Sequence, residues 1–225
     1  MSQQNSRTPS DFLRAVEHKF NVRFTFDLAC THQDRVVEIF APDEVAHPDD
    51  LRIPVGYFHD DGVDALAQDW SAIKVPRLTG GVTGAGWLNP PWKRIEKWAK
   101  KCKDGTDTIV LDEMEVADEL SAVMEGIRIF SLFPAGVGTK WFANYVHGVA
   151  DVYFLHPRIT YLNPETGEPF IKMIKKDDGQ LHPYRNKYGQ TVPQTGLNDA
   201  ILCDWAGSGE TFCWDWHQEL KLISF

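Results

Sequence analysis

Apolar positions recur at helical spacing at Phe12, Leu13, Val16 and Phe20, behind a Thr8-Pro9-Ser10-Asp11 opening. Thr8 suits an N-cap, Pro9 the first helical position and Asp11 the closing member of a capping box, so the pattern predicts a first helix. Alternation then takes over. Phe24-Thr25-Phe26-Asp27-Leu28 predicts a strand, Val55–Phe58 a further short one, and Ala85-Gly86-Trp87-Leu88-Asn89 a strand that runs into a proline pair. Lys93–Lys103 predicts a helix with Ile95 and either Trp98 or Ala99 turned inward. The continuous apolar run Ile127–Phe133 predicts a buried strand. Thr139 is a candidate cap for a helix over Lys140–His147, with Gly148 as its end. Val149–Leu155, Arg158–Leu162, Ala200–Trp205 and Thr211–Trp216 predict further strands. Asn163-Pro164-Glu165-Thr166-Gly167 predicts a turn, and Phe170–Gly196 a loop or small hairpins with a turn at Asp177-Asp178-Gly179. Strands alternating with helices predict an α/β fold with a mixed sheet, its later hairpins adding antiparallel edges.

A length of 225 residues fits one domain spanning 1–225. No apolar run approaches the roughly 18 residues of a membrane span, and the polar start Met1–Arg7 does not read as a secretory signal. Cys30, Cys102, Cys203 and Cys213 are far apart with no Cys-x-x-Cys, so a metal ribbon is not expected and a reduced, cytoplasmic setting is the simplest reading. The net charge of -9 speaks against a broad basic surface for nucleic acid. That charge is uneven, however. Asp104–Gly126 holds eight acidic residues and no Lys or Arg, so the rest of the chain is close to neutral. Within it Val110, Met114, Ala117, Leu120 and Met124 recur every three or four residues, predicting an acidic amphipathic helix. Another acidic block runs from Asp34 to Asp69. Just before the first block, Lys93, Arg94, Lys97, Lys100, Lys101 and Lys103 face a single acid, Glu96. The charge therefore leaves room for a local, salt-sensitive grip on nucleic acid, with the acidic segment limiting non-specific affinity or docking a protein partner.

The most specific chemistry lies in Asn89-Pro90-Pro91-Trp92, directly after an apolar strand. Two prolines remove two backbone donors and stiffen the turn. The Asn89 amide oxygen and the Pro90 carbonyl are then two acceptors in a fixed geometry. Together they suit the two N–H groups of a planar amine, whose nitrogen lone pair they would turn away from its ring. Trp92 adds a flat face for an aromatic base, a contact of about 1–3 kcal/mol. As a bare four-residue match, the same segment is equally a proline-rich turn after a strand.

These residues resemble the Asn-Pro-Pro-aromatic motif of adenine-N6 and related amino methyltransferases. From Thr8 to about Trp205 the chain resembles the phage-type DNA N-6-adenine methyltransferases, the Dam-like family. The matching pieces occur in the family's order: Thr8-Pro9-x-x-Phe12, Phe24–Cys30 with its Asp27-x-Ala29, Tyr57-Phe58, Asp64-Ala65-Leu66 to Trp70, Trp87–Trp92, Phe133-Pro134-Ala135, Thr139-Lys140-Trp141-Phe142, and Arg158-Ile159-Thr160-Tyr161. The fourth motif position is Trp92 where Tyr or Phe is commoner, no glycine-rich cofactor loop follows Asp27, and His156-Pro157 stands where the family has Gly before Arg158. The Asp104–Gly126 segment resembles an insertion.

The resemblance implies a Rossmann-like fold with helices on both faces of a mixed sheet. It implies S-adenosylmethionine as cofactor, held by Thr8, Pro9, Asp27, Ala29, Tyr57, Phe58, Asp64 and Asn89. It implies catalysis by Asn89, Pro90, Pro91 and Trp92 on a flipped adenine of double-stranded DNA in a bacterial host cell, from a phage or prophage gene. Candidate DNA contacts are Lys93, Arg94, Lys140 and Arg158. A candidate target-recognition region at about 163–196 adds Lys172, Lys175, Lys176, Arg185 and Lys187, with Tyr184 and Tyr188. Three other readings stay open: methylation of RNA bases, methylation of protein glutamine, and an inactive relative that binds DNA or a partner.

Overall fold

A computed structural model describes residues 7–29, 66, 83–105, 128–163, 165–194 and 199–223. The strand expected at Val55–Phe58, the cofactor candidates Tyr57, Phe58 and Asp64, and nearly all of the acidic segment lie outside the described residues. Asp104 and Gly105, counted with that segment from sequence, close a helix instead.

The first helix, α1 (Ser10–Phe20), buries Phe12, Leu13, Ala15 and Val16, the stripe its periodicity predicts. It ends at Asn21, which takes the left-handed φ of 50° that asparagine tolerates. Next come β1 (Val22–Asp27) and β2 (Thr83–Leu88), and a 3-10 turn over Trp92–Arg94 leads into α2 (Ile95–Gly105). On α2, Trp98, Ala99 and Cys102 are all buried, and Ile95 packs partly against them. The chain continues through β3 (Arg128–Pro134), α3 (Lys140–Tyr145) and β4 (Asp151–His156). A small hairpin, β5 (Met173–Lys175) with β6 (Leu181–Pro183), precedes β7 (Ala200–Asp204), β8 (Thr211–Asp215) and α4 (Trp216–Ile223).

Among the described residues, six strands form one sheet in the order β1-β2-β3-β7-β4-β8. The pairs β1·β2, β2·β3 and β4·β8 are parallel, whereas β7 is antiparallel to both β3 and β4. Five strands thus share one direction and a single reversed strand lies inside the sheet. This corrects the expectation of antiparallel edges: Ile201, Leu202 and Cys203 are all buried, so β7 is apolar on both faces and belongs in the middle. The edges are β1 and β8, both running with the majority direction, and Thr211, Phe212 and Cys213 of β8 are exposed.

Helices cover both faces. Leu88, Ile129, Phe133, Ile201 and Cys203 meet α2 and α3 on one side. Ala85, Trp87, Phe130, Leu132 and Leu202 meet α1 and α4 on the other. Alternation along β3 decides which side chain goes where. Ser131, the polar residue on the α2/α3 face, is buried and accepts the Trp205 indole N–H at 2.8 Å. Asp204, also fully buried, is paired with Arg128, whose Nε reaches both carboxylate oxygens at 3.0 Å and whose guanidinium lies over the Phe20 and Phe130 rings. A buried carboxylate is tolerated because this fork satisfies it.

Two sequence expectations fail for identifiable reasons. Arg158–Leu162 alternates like a strand, with Ile159 and Tyr161 buried and Arg158 exposed, but among the described residues it pairs only through isolated bridges from Leu162 to Arg7 and to Pro169. The segment follows a cis His156–Pro157 bond and packs against the sheet without joining it. Trp216, assigned from sequence to the last strand, opens α4 instead, because the Asp215 carboxylate accepts the N–H groups of His217 and Gln218.

Candidate functional site

In an open α/β sheet, ligands bind outside the carboxyl ends of the strands. Asp27 ends β1, and its ladder partner on β2 is Trp87, two residues before Asn89. The two parallel strands therefore deliver Asp27 and Asn89 side by side at that rim. The Leu28 N–H bonds the Trp87 carbonyl at 2.8 Å and keeps the strands together as they end. Asp27 is only 6% exposed, and its Oδ1 accepts the Ala29 N–H at 3.2 Å. This bond fixes the turn that leaves β1.

Thr8 does not cap α1. The cap position is Pro9, in an extended conformation with no side-chain cap bond. Thr8 is instead 2% exposed, and its hydroxyl oxygen accepts the Asn89 Nδ2–H at 3.1 Å. The chain before it is anchored by a reciprocal pair of backbone bonds, Arg7 N–H to the Leu162 carbonyl at 2.9 Å and Leu162 N–H to the Arg7 carbonyl at 3.0 Å. Tyr161, next to Leu162, is buried and meets the partly buried Trp92 edge to face, with ring centroids 6.3 Å apart. Three distant segments thus close round the motif: the start of α1 through Thr8, the end of β2 through Asn89 and Trp92, and the segment after β4 through Tyr161. Pro90 is buried, and Pro91 is extended at φ -57° and ψ 124° before the 3-10 turn. Sequence reasoning assigned no role to Tyr161 or Arg7. The alternation Ile159/Tyr161 carried the signal that Tyr161 faces inward.

The basic candidates fall into two groups. Lys93 and Arg94 are exposed in the turn directly after Trp92, and Lys140 is exposed at the start of α3, beyond the Pro134 end of β3. Arg158 is exposed and ion-paired with Asp199 at 2.5 Å. Lys172, Lys175, Lys176, Arg185 and Lys187 occupy a separate unit of small hairpins, as the composition of Phe170–Gly196 predicts. Its first tip is the expected turn, where the Gly179 N–H bonds the Lys176 carbonyl and Gly179 takes φ 76°. In its second tip the Asn186 carboxamide oxygen accepts the N–H groups of Tyr188 and Gln190, and Arg185 donates to the Gly189 carbonyl at 2.7 Å. Lys187 stands over the Tyr188 ring at 5.0 Å, and Tyr188 is 74% exposed. Lys172 lies likewise over Tyr184.

Among the described residues no group of three or more His, Cys, Asp or Glu side chains could hold a metal ion, and no helix is long and apolar enough to cross a membrane. The chain matches no family model, and no curated protein or solved structure is significantly similar to it.

Proposed function

We propose that the protein is a DNA adenine-N6 methyltransferase with a Rossmann-like fold, a relative of the phage-type Dam-like enzymes, acting on double-stranded DNA inside a bacterial host cell. One observation carries the reading. Asn89-Pro90-Pro91-Trp92 stands at the carboxyl end of an inner parallel strand, with the Asn89 carboxamide held by a buried hydroxyl and an aromatic face beside it.

The described donors suit one side of S-adenosylmethionine. Asp27 is a nearly buried acceptor at the strand rim and the Thr8 hydroxyl lies close to Asn89, a mixed polar set fitting an amino acid moiety and a ribose. When bound, that cofactor supplies an electrophilic sulfonium methyl group. The chain's own residues do the rest. Asn89 and the Pro90 carbonyl accept the two amino hydrogens of adenine and turn its lone pair outward. Trp92 stacks on the base, which must leave the duplex to reach the pocket. These residues would hold the adenine nitrogen in line with the methyl group that the cofactor supplies, and the proton that nitrogen sheds would pass to solvent. Positioning and fixed dipoles supply the acceleration, with no covalent enzyme intermediate. Lys93 and Arg94, next to Trp92, are placed to meet phosphates near the flipped base, and the hairpin unit is a target-recognition element.

Methyl transfer from labelled S-adenosylmethionine to unmethylated DNA, RNA and protein tests the reading. DNA labelling is expected. Asn89→Ala should lower kcat at least about a hundredfold, the scale for losing a group aimed at the developing charge. Trp92→Ala should remove about 1–3 kcal/mol of base stacking, roughly fivefold to somewhat over a hundredfold in rate. Label on protein or RNA and never on DNA would sink it.

A further inference from the structure

We propose that Thr8 is the positioning residue for the Asn89 carboxamide, an inference whose chemical consequence rests on the adenine-methylation reading. A threonine just before a helix ordinarily spends its hydroxyl on the helix N-terminus. Here the cap position is Pro9, and the hydroxyl reaches a residue 81 positions away in the chain, at 3.1 Å. With Thr8 2% exposed, water does not compete for the bond. The two-way backbone pairing of Arg7 with Leu162 fixes the segment from which the hydroxyl projects.

The bond matters because a carboxamide is ambiguous about its own direction. The terminal torsion of asparagine is broad and roughly two-fold, so the nitrogen and oxygen can exchange places with little change in packing. Only one setting turns the acceptor oxygen toward an incoming amino group; the other presents a donor to a donor. With the Thr8 hydroxyl accepting from Nδ2, Oδ1 is aimed the other way; because a hydroxyl can also donate, this setting is selected when the Thr8 hydrogen is engaged elsewhere. The Thr8 hydroxyl uses a lone pair for this, and a second partner that takes its single hydrogen, on the cofactor side to which Thr8 was assigned from sequence, leaves it only lone pairs to offer Asn89.

Thr8→Val and Thr8→Ala remove the acceptor, and Thr8→Ser restores it. The Asn89 side-chain amide is followed by nitrogen-15 NMR, its signal identified by its loss in Asn89→Ala. Thr8→Val should speed exchange of that amide with solvent about tenfold, and Thr8→Ser should return it toward the original rate. At saturating cofactor and DNA, Thr8→Val should lower kcat about tenfold or more, with Thr8→Ser recovering it. The double variant Thr8→Val/Asn89→Ala should be no slower than Asn89→Ala alone. Unchanged Asn89 amide exchange in a folded Thr8→Val or Thr8→Ala protein overturns the proposal. So does a loss confined to the KM for the cofactor, which would make Thr8 a cofactor ligand alone. If the unaltered protein labels no DNA, the methylation reading fails, and the amide exchange still decides whether Thr8 orients Asn89.

Discussion

Tyr161 lies at the wall of the motif with its hydroxyl buried and without a partner among the described residues, and burial pushes that hydroxyl well above the ordinary tyrosine range. Trp87 Nε1 and Trp214 Nε1 are in the same position within the same layer. Leaving a buried hydroxyl unpaired costs about 1–3 kcal/mol, whereas the ring alone supplies the contact with Trp92. Tyr161→Phe should therefore keep or raise stability, by up to about 1 kcal/mol, read as an unchanged or higher denaturant midpoint at constant slope. A lower midpoint would mean that the hydroxyl does make a bond. At this scale the sequence was legible where chemistry is contiguous. Asn89-Pro90-Pro91-Trp92 is read in four adjacent residues, and the structure sets it at the end of β2 beside Thr8 and Tyr161. Thr8 was misread because local rules award its hydroxyl to the nearest helix, while the partner it serves lies across the fold.

Among the elements, α1 carries a titratable group at its join to β1. Glu17 accepts the Phe24 N–H at 2.8 Å and lies 3.7 Å from Arg23. Desolvation raises its carboxyl above the ordinary 4.5, against the opposing pull of that backbone bond and of Arg23. The folded protein thus holds this proton more tightly than the unfolded chain. Glu17 contributes stability below pH 4.5 that is lost as pH rises through the folded value, and the cost is constant above it. Glu17→Gln keeps an acceptor for Phe24 and removes the titration. Its unfolding free energy should show a shallower fall than the parent's between pH 4.5 and neutrality, measured by denaturant titration at a series of pH values. An identical pH profile would place the proton elsewhere. Most elements were legible, within a residue or two, from period-two and period-3.6 patterns. Helix α4 was not, because Phe212, Trp214 and Trp216 continue the strand alternation straight through the boundary. The signal that could have found it is Asp215 with Gln218 three residues on, the spacing of a capping box.

For the whole molecule, the sequence indicated an α/β sheet with helices on both faces but not the order of its strands. Strand order is set by long-range pairing, and an apolar run such as Ile201-Leu202-Cys203 says that a strand is buried without saying between which neighbours. Charge was more legible. Lys93, Arg94 and the exposed lysines of α2 stand beside the motif, and the acids counted from sequence over 104–126 follow immediately. On the DNA reading, deleting residues 106–126 should strengthen binding to non-cognate DNA at low salt by about tenfold, a gain that fades as salt screens it. Equal binding of both forms across the salt range would remove any electrostatic restraint from that segment.

The reversed strand also gives the fold a schedule. β3 and β4 are separated by only a short helix in the chain, yet they never touch each other directly in the sheet; β7 stands between them. During synthesis β3 waits with one side unpaired and β4 with both, until residues 200–215 have left the ribosome. A nascent chain that stalls earlier leaves those strand edges exposed. The last quarter of the chain thus carries the two strands that bring β4 into the sheet, and a chain that lacks them is exposed to aggregation.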